Sequence, residues 1–306
     1  MLRFQGAEPV PDNAKGAAVA LGNFDGVHAG HRAVIASARR RGGLLAVASF
    51  EPHPRRFFNP DAPPFRLQTP NQRARALESV GVGAVYELKF DQDLVNMTDR
   101  DFAEQVLGGR LGARHVSVGE GFRFGQGRMG DVESLTRLGA EFGFSVDAIA
   151  PVQLGGIRIS STAVREAIAA GAVDQAAMML GRPWAIEGDV ERGFERGRTL
   201  GFPTANVALS DYVRPRLGVY AVRARVSDAV HDGVASIGVN PTTGALPAPL
   251  LEAHLFGFDG DLYGQTIEVA LRAFLREEAK FDDVEDLKTQ MTRDAEAGRA
   301  ALARLP

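Results

Sequence analysis

Two histidines stand three residues apart within a glycine-rich segment that follows a short apolar run and precedes a helical pattern. The segment is Gly22-Asn23-Phe24-Asp25-Gly26-Val27-His28-Ala29-Gly30-His31. A helix N-terminus offers free N–H groups and a positive dipole end to a phosphate, and glycine lets the backbone approach a ligand closely. Histidines at this spacing lie on one side of the terminus. They could stabilise the charge that develops on a phosphate during nucleotidyl transfer; the alternative is a pair of surface histidines after a glycine turn.

A second group of phosphate-binding candidates opens another predicted helix. Ser160, Ser161 and Thr162 stand at its start, and Arg165 follows about one turn later. Hydroxyls, free N–H groups and a guanidinium in this arrangement could hold the two phosphates that leave as pyrophosphate. An ordinary helix N-cap is the alternative interpretation.

The second half of the chain carries its own candidates. A glycine- and hydroxyl-rich turn between predicted strands reads Gly197-Arg198-Thr199-Leu200-Gly201-Phe202-Pro203-Thr204-Ala205-Asn206, and its composition is compatible with phosphate binding. Further on, strand alternation places Glu252 and His254 on the face opposite Leu251 and Leu255. A carboxylate can accept the proton of an alcohol that attacks a phosphate, although Glu252 alone could be an exposed strand residue.

The elements that must position these residues alternate in the first half. Buried strands are predicted over residues 17–21, 44–50, 84–88, 115–119 and 144–150, and helices over 30–41, 72–80, 100–107 and 132–142. This alternation predicts an α/β domain with a parallel, Rossmann-like sheet covered by helices on both faces. Ligands of such sheets lie beyond the carboxyl ends of the strands.

The pattern changes in the second half. After predicted helices over 160–171 and 173–180, strands are predicted over 184–190, 218–226, 233–238, 251–256 and 266–275. No helix-length pattern separates these strands, so an antiparallel β-barrel is favoured. A terminal helix over Val284–Ala295 would pack on it. The predicted domains are residues 1–182 and 183–306.

Composition limits the partners. The 306 residues include 35 Lys+Arg and 38 Asp+Glu, a net charge of −3, and no cysteine. We therefore expect no nucleic-acid partner, and disulfides, thiolate catalysis and Cys-ligated zinc are excluded. No apolar stretch predicts a membrane span, and the expected location is the cytoplasm. A weak homo-oligomer is compatible with the sequence.

The Gly22–His31 segment resembles the signature of nucleotidyltransferases of the HIGH superfamily. Its spelling is similar to the FMN adenylyltransferase module of bacterial bifunctional riboflavin kinase/FAD synthetases. Three further segments, Ser49–Phe58, Val118–Gly125 and Ile159–Arg165, match motifs of that module.

The resemblance implies roles for particular residues of the first half. His28 and His31 would be catalytic, and Pro52, His53, Pro54, Phe57 and Phe124 would bind the flavin. The implied ATP contacts are Gly22, Phe24, Asp25, Gly30, Ser160, Ser161, Thr162 and Arg165. Gly121 departs from the family pattern, since relatives usually carry Asp or Asn there, near the flavin or its ribityl chain.

The second half resembles riboflavin kinases through Gly197–Asn206, Ile237–Thr242 and Leu251–Leu255. The resemblance implies that Glu252 is the catalytic base and that Arg276 and Phe281 lie beside the flavin. Thr204 and Asn206 would bind Mg²⁺, which prefers hard oxygen ligands. The implied ATP contacts are Gly197, Arg198, Gly201, Phe202, Pro203, Thr204 and Asn206.

The implied function is the synthesis of two flavin cofactors. ATP would phosphorylate riboflavin to FMN, and a second ATP would adenylylate FMN to FAD with release of pyrophosphate. One alternative is a nucleotidyltransferase for another phosphorylated acceptor, which leaves the second half without a role. The other is a flavin-binding protein that has lost catalysis or retains one activity.

Overall fold

The computed structural model describes residues 1–6, 10–192, 202–239, 249–281 and 283–305. The chain divides into two compact units. Unit 1 comprises Met1–Pro63 and Pro70–Ser160, and unit 2 comprises Pro64–Thr69 and Ser161–Pro306. Over the described ranges, no helix is long and apolar enough to cross a membrane.

Unit 1 is built on a six-stranded sheet with the strand order β1-β4-β3-β2-β5-β6, in which every neighbouring pair is parallel. Its strands are β1 (Leu2–Gly6), β2 (Ala18–Leu21), β3 (Leu45–Glu51), β4 (Ala84–Lys89), β5 (His115–Gly119) and β6 (Ser145–Ile149). The predicted parallel sheet is confirmed. The sequence pattern misses β1, because this edge strand is largely exposed and does not form a short apolar run.

Helices connect the strands of unit 1. They are α1 (Ala29–Arg40), α2 (Pro54–Phe58), α3 (Pro70–Ser79), α4 (Gln92–Asn96), α5 (Asp99–Asp101) and α6 (Val132–Phe142). The helix predicted over 100–107 begins as α5 and continues as a π-helix, Phe102–Arg110. Two 3-10 turns, Asp12–Ala14 and Gln126–Arg128, and a hairpin of β7 (Gln153–Leu154) and β8 (Ile157–Arg158) complete the unit.

Apolar side chains cover both faces of this sheet. Along β3, Ala46, Ala48 and Phe50 belong to one buried cluster, whereas Leu45 and Val47 belong to the other. Successive side chains of a strand point to opposite faces, and burial on both faces is typical of parallel sheets. The core therefore fixes the strand ends that carry the candidate residues of this unit.

Unit 2 contains a closed antiparallel barrel with the strand order β10-β13-β12-β11-β14-β9. Its strands are β9 (Ala185–Glu191), β10 (Ala205–Ala208), β11 (Gly218–Val226), β12 (Ala229–Val239), β13 (Pro249–Leu255) and β14 (Thr266–Arg276). The predicted barrel is confirmed. Strand β10 has four residues and is missed by the sequence pattern. Strand β12 begins earlier than predicted, after a tight turn in which Ser227 has a φ of 52°.

Over its described residues, unit 2 also contains the helices α7 (Ser161–Ala169), α8 (Val173–Leu180) and α9 (Val284–Leu302). The terminal helix α9 follows Asp283, which caps its first turn. It approaches the barrel closely, since a Cβ at Gly298 would lie 2.4 Å from Val234 Cγ1. The predicted terminal helix is thus confirmed as a helix packed on the barrel.

A short segment from the first half of the sequence, Pro64–Thr69, belongs to unit 2, and we call it the strap. Phe65 and Leu67 of the strap are 2% and 1% exposed. The Trp184 Nε1–H donates to Leu67 O at 2.7 Å, and the Val213 N–H donates to Arg66 O at 2.8 Å. The strap is therefore a constituent of the barrel's packing.

The extent of unit 2 differs from the predicted C-terminal domain, residues 183–306. Helices α7 and α8 pack on each other, and α8 packs on β14 of the barrel. The Arg216 N–H also donates to Ile168 O, at the end of α7, at 3.3 Å. Residues 161–182 and the strap therefore belong with the barrel in packing, whichever reaction their side chains serve.

Candidate active sites

The first candidate site lies where β2 ends and α1 begins. Phe24 and Val27 of this turn have φ angles of 52° and 45°, a left-handed conformation that is costly for bulky or β-branched residues. Both side chains are 1% exposed, so their burial holds the turn in this shape. The backbone between the strand and the helix is therefore rigidly prescribed.

The two histidines of this turn form one stacked pair. Their ring centroids lie 3.7 Å apart with an interplanar angle of 17°. His28 is the N-cap of α1, and its Nδ1 accepts a hydrogen bond from the His31 N–H at 3.3 Å. Because Nδ1 accepts, the neutral His28 ring carries its hydrogen on Nε2. The structure thus places both rings together at the helix start, as the spacing predicts, and adds a capping role for His28.

Little room is left for a side chain at Gly30 beside these rings. A Cβ there would lie 3.1 Å from His28 Cε1, which is tighter than most packing contacts. Phe24 lies against His31 with ring centroids 5.1 Å apart, and Asp25 is buried. The predicted ATP residues Phe24 and Gly30 therefore border the histidine pair, and Asp25 is buried in the same turn.

Asn23 is a candidate that the sequence reasoning leaves without a role. Its Oδ1 is buried and has no hydrogen-bond partner among the described residues. A buried polar atom without a partner costs free energy, so it marks a place where a polar ligand group would be accommodated. The asparagine sits in the predicted motif, but its side chain could be singled out only from the structure.

The predicted flavin loop follows β3. His53 caps α2 by accepting from the Arg55 N–H at 3.1 Å. Phe57 packs edge-on against Phe58 and Phe90 at centroid distances of 5.4 and 5.3 Å. Phe58 is 66% exposed. Pro52, His53, Pro54 and Phe57 are therefore adjacent to an exposed aromatic surface.

An ion-pair network anchors the base of this loop. Glu51, at the end of β3, accepts from Arg73 at 3.3 Å, and Arg73 also pairs with Glu87 at 2.9 Å. Arg73 and Glu87 are both buried. Burial alone would raise the pKa of the Glu87 carboxyl, but hydrogen bonds from Gln5 and Arg73 together outweigh it and lower that pKa.

Phe124 is buried, whereas a ring that stacks on a flavin at the surface would be exposed. It is 7% exposed and belongs to the apolar core, where it stacks on Phe122 at 5.7 Å. Gly121 lies nearby in sequence, and a Cβ added there would meet nothing within 4 Å. The φ of Gly121 is outside the left-handed region, so the glycine is not required by backbone strain.

The serine-rich motif divides between the two units. Ser160 ends the described range of unit 1, and α7 of unit 2 begins at Ser161. Arg165 is engaged with the strap: its Nε donates to Phe65 O at 2.7 Å, and its guanidinium lies 5.6 Å from the centre of the Phe65 ring. The helix start is thus confirmed, and the phosphate roles of Ser161, Thr162 and Arg165 stay predictions.

The second candidate site lies on the outer face of the barrel. In the strand register, Glu252 of β13 faces Asn206 of β10 on one side and Ser236 of β12 on the other. Leu251 and Ala253 are buried at 0% and 1% exposure, so the alternating Glu252 is on the opposite face. The predicted base and one predicted phosphate or metal ligand are therefore direct neighbours.

A cavity of about 420 Å³ is lined by one member of this row, Asn206. Its lining includes Pro203, Thr204 and Asn206 together with Ala253, Leu255 and the 258–263 loop. Burial raises the pKa of Glu252, which makes its carboxylate a stronger base. Gly197, Arg198 and Gly201 lie outside the described residues, as does the 240–242 part of the downstream motif.

Arg276 and Phe281 come together at the end of β14. The Arg276 guanidinium is 5.9 Å from the centre of the Phe281 ring. It also donates to both carboxylate oxygens of Asp294, at 2.7 and 2.6 Å, and Gln290 donates to the same carboxylate at 2.9 Å. Asp294 is 6% exposed. This carboxylate on α9 carries no motif in the sequence and emerges only from the fold.

Magnesium is the metal that the sequence predicts. Among the described residues, no group of three or more His, Asp or Glu side chains could hold an ion by itself. Thr204 and Asn206 offer two neutral oxygen ligands beside the cavity. That donor set suits a Mg²⁺ ion that keeps waters and takes its remaining ligands from substrate phosphates.

The fold and its sites define a two-unit chain in which a parallel α/β unit and an antiparallel barrel each carry phosphate-binding candidates. The FAD synthetase family model matches residues 10–163, and the riboflavin kinase family model matches residues 180–302. The bifunctional riboflavin kinase/FMN adenylyltransferase of Pseudomonas fluorescens is 43% identical over 99% of this chain and 98% of its own. The enzyme of the same description from Escherichia coli K12 is 41% identical over 92% and 91%.

A solved structure is also similar over nearly the full length. The crystal structure of a macrolide-efflux protein from Streptococcus pneumoniae has a TM-score of 0.87 and 30% identity, and covers 98% of this chain and 99% of its own. With the two family models and the near-complete coverage of the relatives, the chain belongs to the bifunctional riboflavin kinase/FMN adenylyltransferase family. It is an enzyme that phosphorylates riboflavin to FMN and adenylylates FMN to FAD, with ATP as co-substrate.

Proposed function

We propose that the phosphoryl transfer is carried by the row of residues on the outer face of the barrel. Thr204 and Asn206 hold the phosphates of ATP, and Glu252 takes the proton of the riboflavin 5′-hydroxyl as its oxygen attacks the γ-phosphorus. The O–P bond to ADP breaks, and FMN and ADP are the products. The observation that carries this proposal is the strand register that makes Asn206 and Glu252 direct neighbours.

The electrostatics of Glu252 support its role as the base. A carboxylate that is removed from water binds a proton more tightly, and burial raises the pKa of Glu252. When bound, Mg²⁺ neutralises phosphate charge, and Thr204 and Asn206 are its proposed protein ligands. Gly197, Arg198, Gly201, Phe202 and Pro203 complete the proposed ATP site, and Arg276 and Phe281 border the flavin.

For adenylyl transfer, we assign the chemistry to the start of α1. A phosphate oxygen of FMN attacks the α-phosphorus of ATP, and the bond to pyrophosphate breaks. His28, His31 and the N–H groups of the helix terminus stabilise the negative charge of the transition state. Ser160, Ser161, Thr162 and Arg165 would hold the departing phosphates, and Gly22, Phe24, Asp25 and Gly30 would border the nucleotide.

The flavin of this second reaction is assigned to the loop after β3. Pro52, His53, Pro54 and Phe57 are its proposed contacts. Phe57 packs on the exposed ring of Phe58, and flat apolar faces of this kind suit an isoalloxazine. Phe124 supports the site from the core. The residues that fix the loop, Glu51 and Arg73, are joined by an ion pair.

The remaining assignments rest on the sequence. Residues 1–182 are proposed to carry adenylyl transfer and residues 183–306 phosphoryl transfer, in a cytoplasmic enzyme that needs Mg²⁺. A weak homo-oligomer without nucleic-acid or membrane partners stays a prediction. An efflux role, which the Streptococcus pneumoniae structure carries in its name, is not proposed, because both family models describe flavin enzymes.

Two variants measured in two assays test the assignment of the reactions. His28→Ala is expected to slow FAD formation from FMN by about 10²–10³-fold, which is the effect of removing one oxyanion-type donor, and to leave riboflavin phosphorylation intact. Glu252→Gln is expected to slow FMN formation by about 10²–10⁴-fold and to spare FAD formation. Each variant is the control for the other. Equal losses of both activities in either variant would contradict the assignment.

A further inference from the structure

His254 lies two residues after Glu252 on β13, and neither proposed reaction uses it. Its Nδ1 is 3.0 Å from the carbonyl oxygen of Pro203. A carbonyl oxygen can only accept a hydrogen bond, so the imidazole donates through Nδ1–H. Neutral and protonated forms of the ring can both make this hydrogen bond. The contact joins the strand of the proposed base to the segment that leads into Thr204.

Aromatic neighbours hold the ring in this position. Phe202 packs edge-on against His254 at a centroid distance of 5.1 Å, and Phe256 does so at 5.9 Å. The Arg299 guanidinium of α9 lies 3.8 Å from the centre of the Phe256 ring. Edge-to-face contacts are a preferred packing of aromatic rings. The imidazole therefore packs favourably against two rings in the position from which it donates to Pro203.

The hydrogen bond from His254 reaches the carbonyl group directly before Thr204, a proposed phosphate ligand. The ladder between β10 and β13 begins with the pair Ala205 and Ala253, and Phe202, Pro203 and Thr204 precede it without regular structure. The Pro203 carbonyl belongs to the same planar peptide unit as the Thr204 N–H. Fixing that oxygen therefore fixes the plane from which the Thr204 side chain departs.

We propose that His254 is a positioning residue for the riboflavin kinase reaction, which clamps the Pro203–Thr204 peptide so that the Thr204 hydroxyl is presented to the phosphates of ATP. The inference rests on the proposed assignment of Thr204 and Asn206 to the nucleotide. His254 acts through the loop and does not touch the reacting atoms. The cavity whose lining includes Pro203, Thr204 and Asn206 takes the nucleoside triphosphate.

The test compares side chains that differ in where they place a donor. The amide nitrogen of Asn can take the place of the ring Nδ1, whereas Leu has no donor and Gln places its nitrogen one bond further out. His254→Leu and His254→Gln are expected to raise the KM for ATP in riboflavin phosphorylation about three- to tenfold, the effect of one hydrogen bond. The kcat should change less than twofold. His254→Asn is expected to recover most of the wild-type KM.

The KM for FMN in the adenylyltransferase assay, measured on the same samples, is the internal control and should not change. The double variant His254→Leu/Thr204→Val should have the same KM for ATP as Thr204→Val alone, because the clamp acts through Thr204. If Leu does not fold, the comparison of Gln with Asn decides. An unchanged KM for ATP in the Leu or Gln variant overturns the inference, as does an Asn variant as impaired as Leu or a fully additive double variant.

Failure of the underlying assignment would look different. If Thr204→Val leaves the KM for ATP unchanged, Thr204 does not hold the nucleotide and the proposed site is wrong, whatever His254 does. If Thr204→Val raises that KM and His254→Leu does not, the site stands and the clamp is refuted.

Discussion

Leu67 of the strap offers a sharp test of how unit 2 is held together, because it lies far in sequence from the barrel that it stabilises. Its side chain is 1% exposed, and its carbonyl accepts from Trp184 Nε1 at 2.7 Å. Truncation of a buried leucine to alanine costs about 2–5 kcal/mol. For a unit of this size, a loss of about 3 kcal/mol lowers the unfolding midpoint by about 6–12 °C.

The chain supplies its own probe for this measurement. It contains one tryptophan, Trp184, which is 2% exposed, so fluorescence on heating reports on unit 2. Leu67→Ala should lower the temperature of the fluorescence transition by the amount given above. The matched control is Leu77→Ala, which truncates a side chain of 0% exposure in the core of unit 1. This variant should lower the temperature of the unfolding transition seen by far-ultraviolet circular dichroism. Its tryptophan transition should stay within about 2 °C of that of the wild type.

Activity provides an independent readout of the same variants. After brief heating at increasing temperatures, Leu77→Ala should lose FMN adenylyltransferase activity before riboflavin kinase activity, whereas Leu67→Ala should lose riboflavin kinase activity at a lower temperature than the wild type. A Leu67→Ala protein whose tryptophan transition coincides with that of the wild type would refute the placement of the strap in unit 2.

Three further predictions concern single side chains. Because burial raises the pKa of Glu252, kinase turnover should fall as the pH drops through that raised pKa. A raised carboxyl pKa also lowers the stability of the folded protein as the pH rises. Thermal melts should therefore show that Glu252→Gln is more stable than the wild type at pH 8 but not at pH 4. Gly121→Asn and Gly121→Asp restore the polar side chain that relatives carry near the flavin, and they meet open space and no backbone strain. Both variants should strengthen FMN binding at the adenylyltransferase site by up to about tenfold in a fluorescence titration, an effect of about 1.4 kcal/mol. Weaker binding by both variants would contradict this prediction. Asp294→Asn should raise the KM for riboflavin several-fold in the kinase assay, because the variant weakens the charged hydrogen bonds that hold Arg276. Asp286→Asn, on the exposed first turn of the same helix, should leave this KM unchanged. Equal effects of the two variants would count against a role for Asp294.

Local patterns were sufficient for much of this architecture. The parallel strands of unit 1 are predicted because they are short apolar runs buried on both faces, and the histidine pair because glycine spacing and a helix start specify it. Strand β1 escapes prediction because an edge strand need not be apolar. Strand β10 escapes because four residues give too short a pattern.

The polar supports of the sites could not be predicted for a different reason. Asp294, Ser236 and Arg73 become relevant through partners that are distant in sequence, and a single sequence carries no signal of such pairings. The same holds for the strap, whose Phe65 and Leu67 resemble any apolar pair in a loop until the barrel is seen around them. His254 was visible as a residue of a strand face, but its hydrogen bond to Pro203 required the register of β10 against β13.

The strap also has a consequence for the folding of the chain during its synthesis on the ribosome. Its six residues emerge early, between the two stretches that make up unit 1, and all of unit 1 is synthesised by residue 160. Residues 161–306, which build the barrel, are still to come, and at about 5–20 residues per second they take roughly 7–30 s to appear. During that interval the barrel that covers Phe65 and Leu67 does not yet exist. A nascent chain with a complete first unit therefore exposes an apolar loop that is prone to aggregation. A translational pause after residue 160 would prolong this exposure, and a gene split between residues 160 and 161 would leave these two side chains on the polypeptide of unit 1.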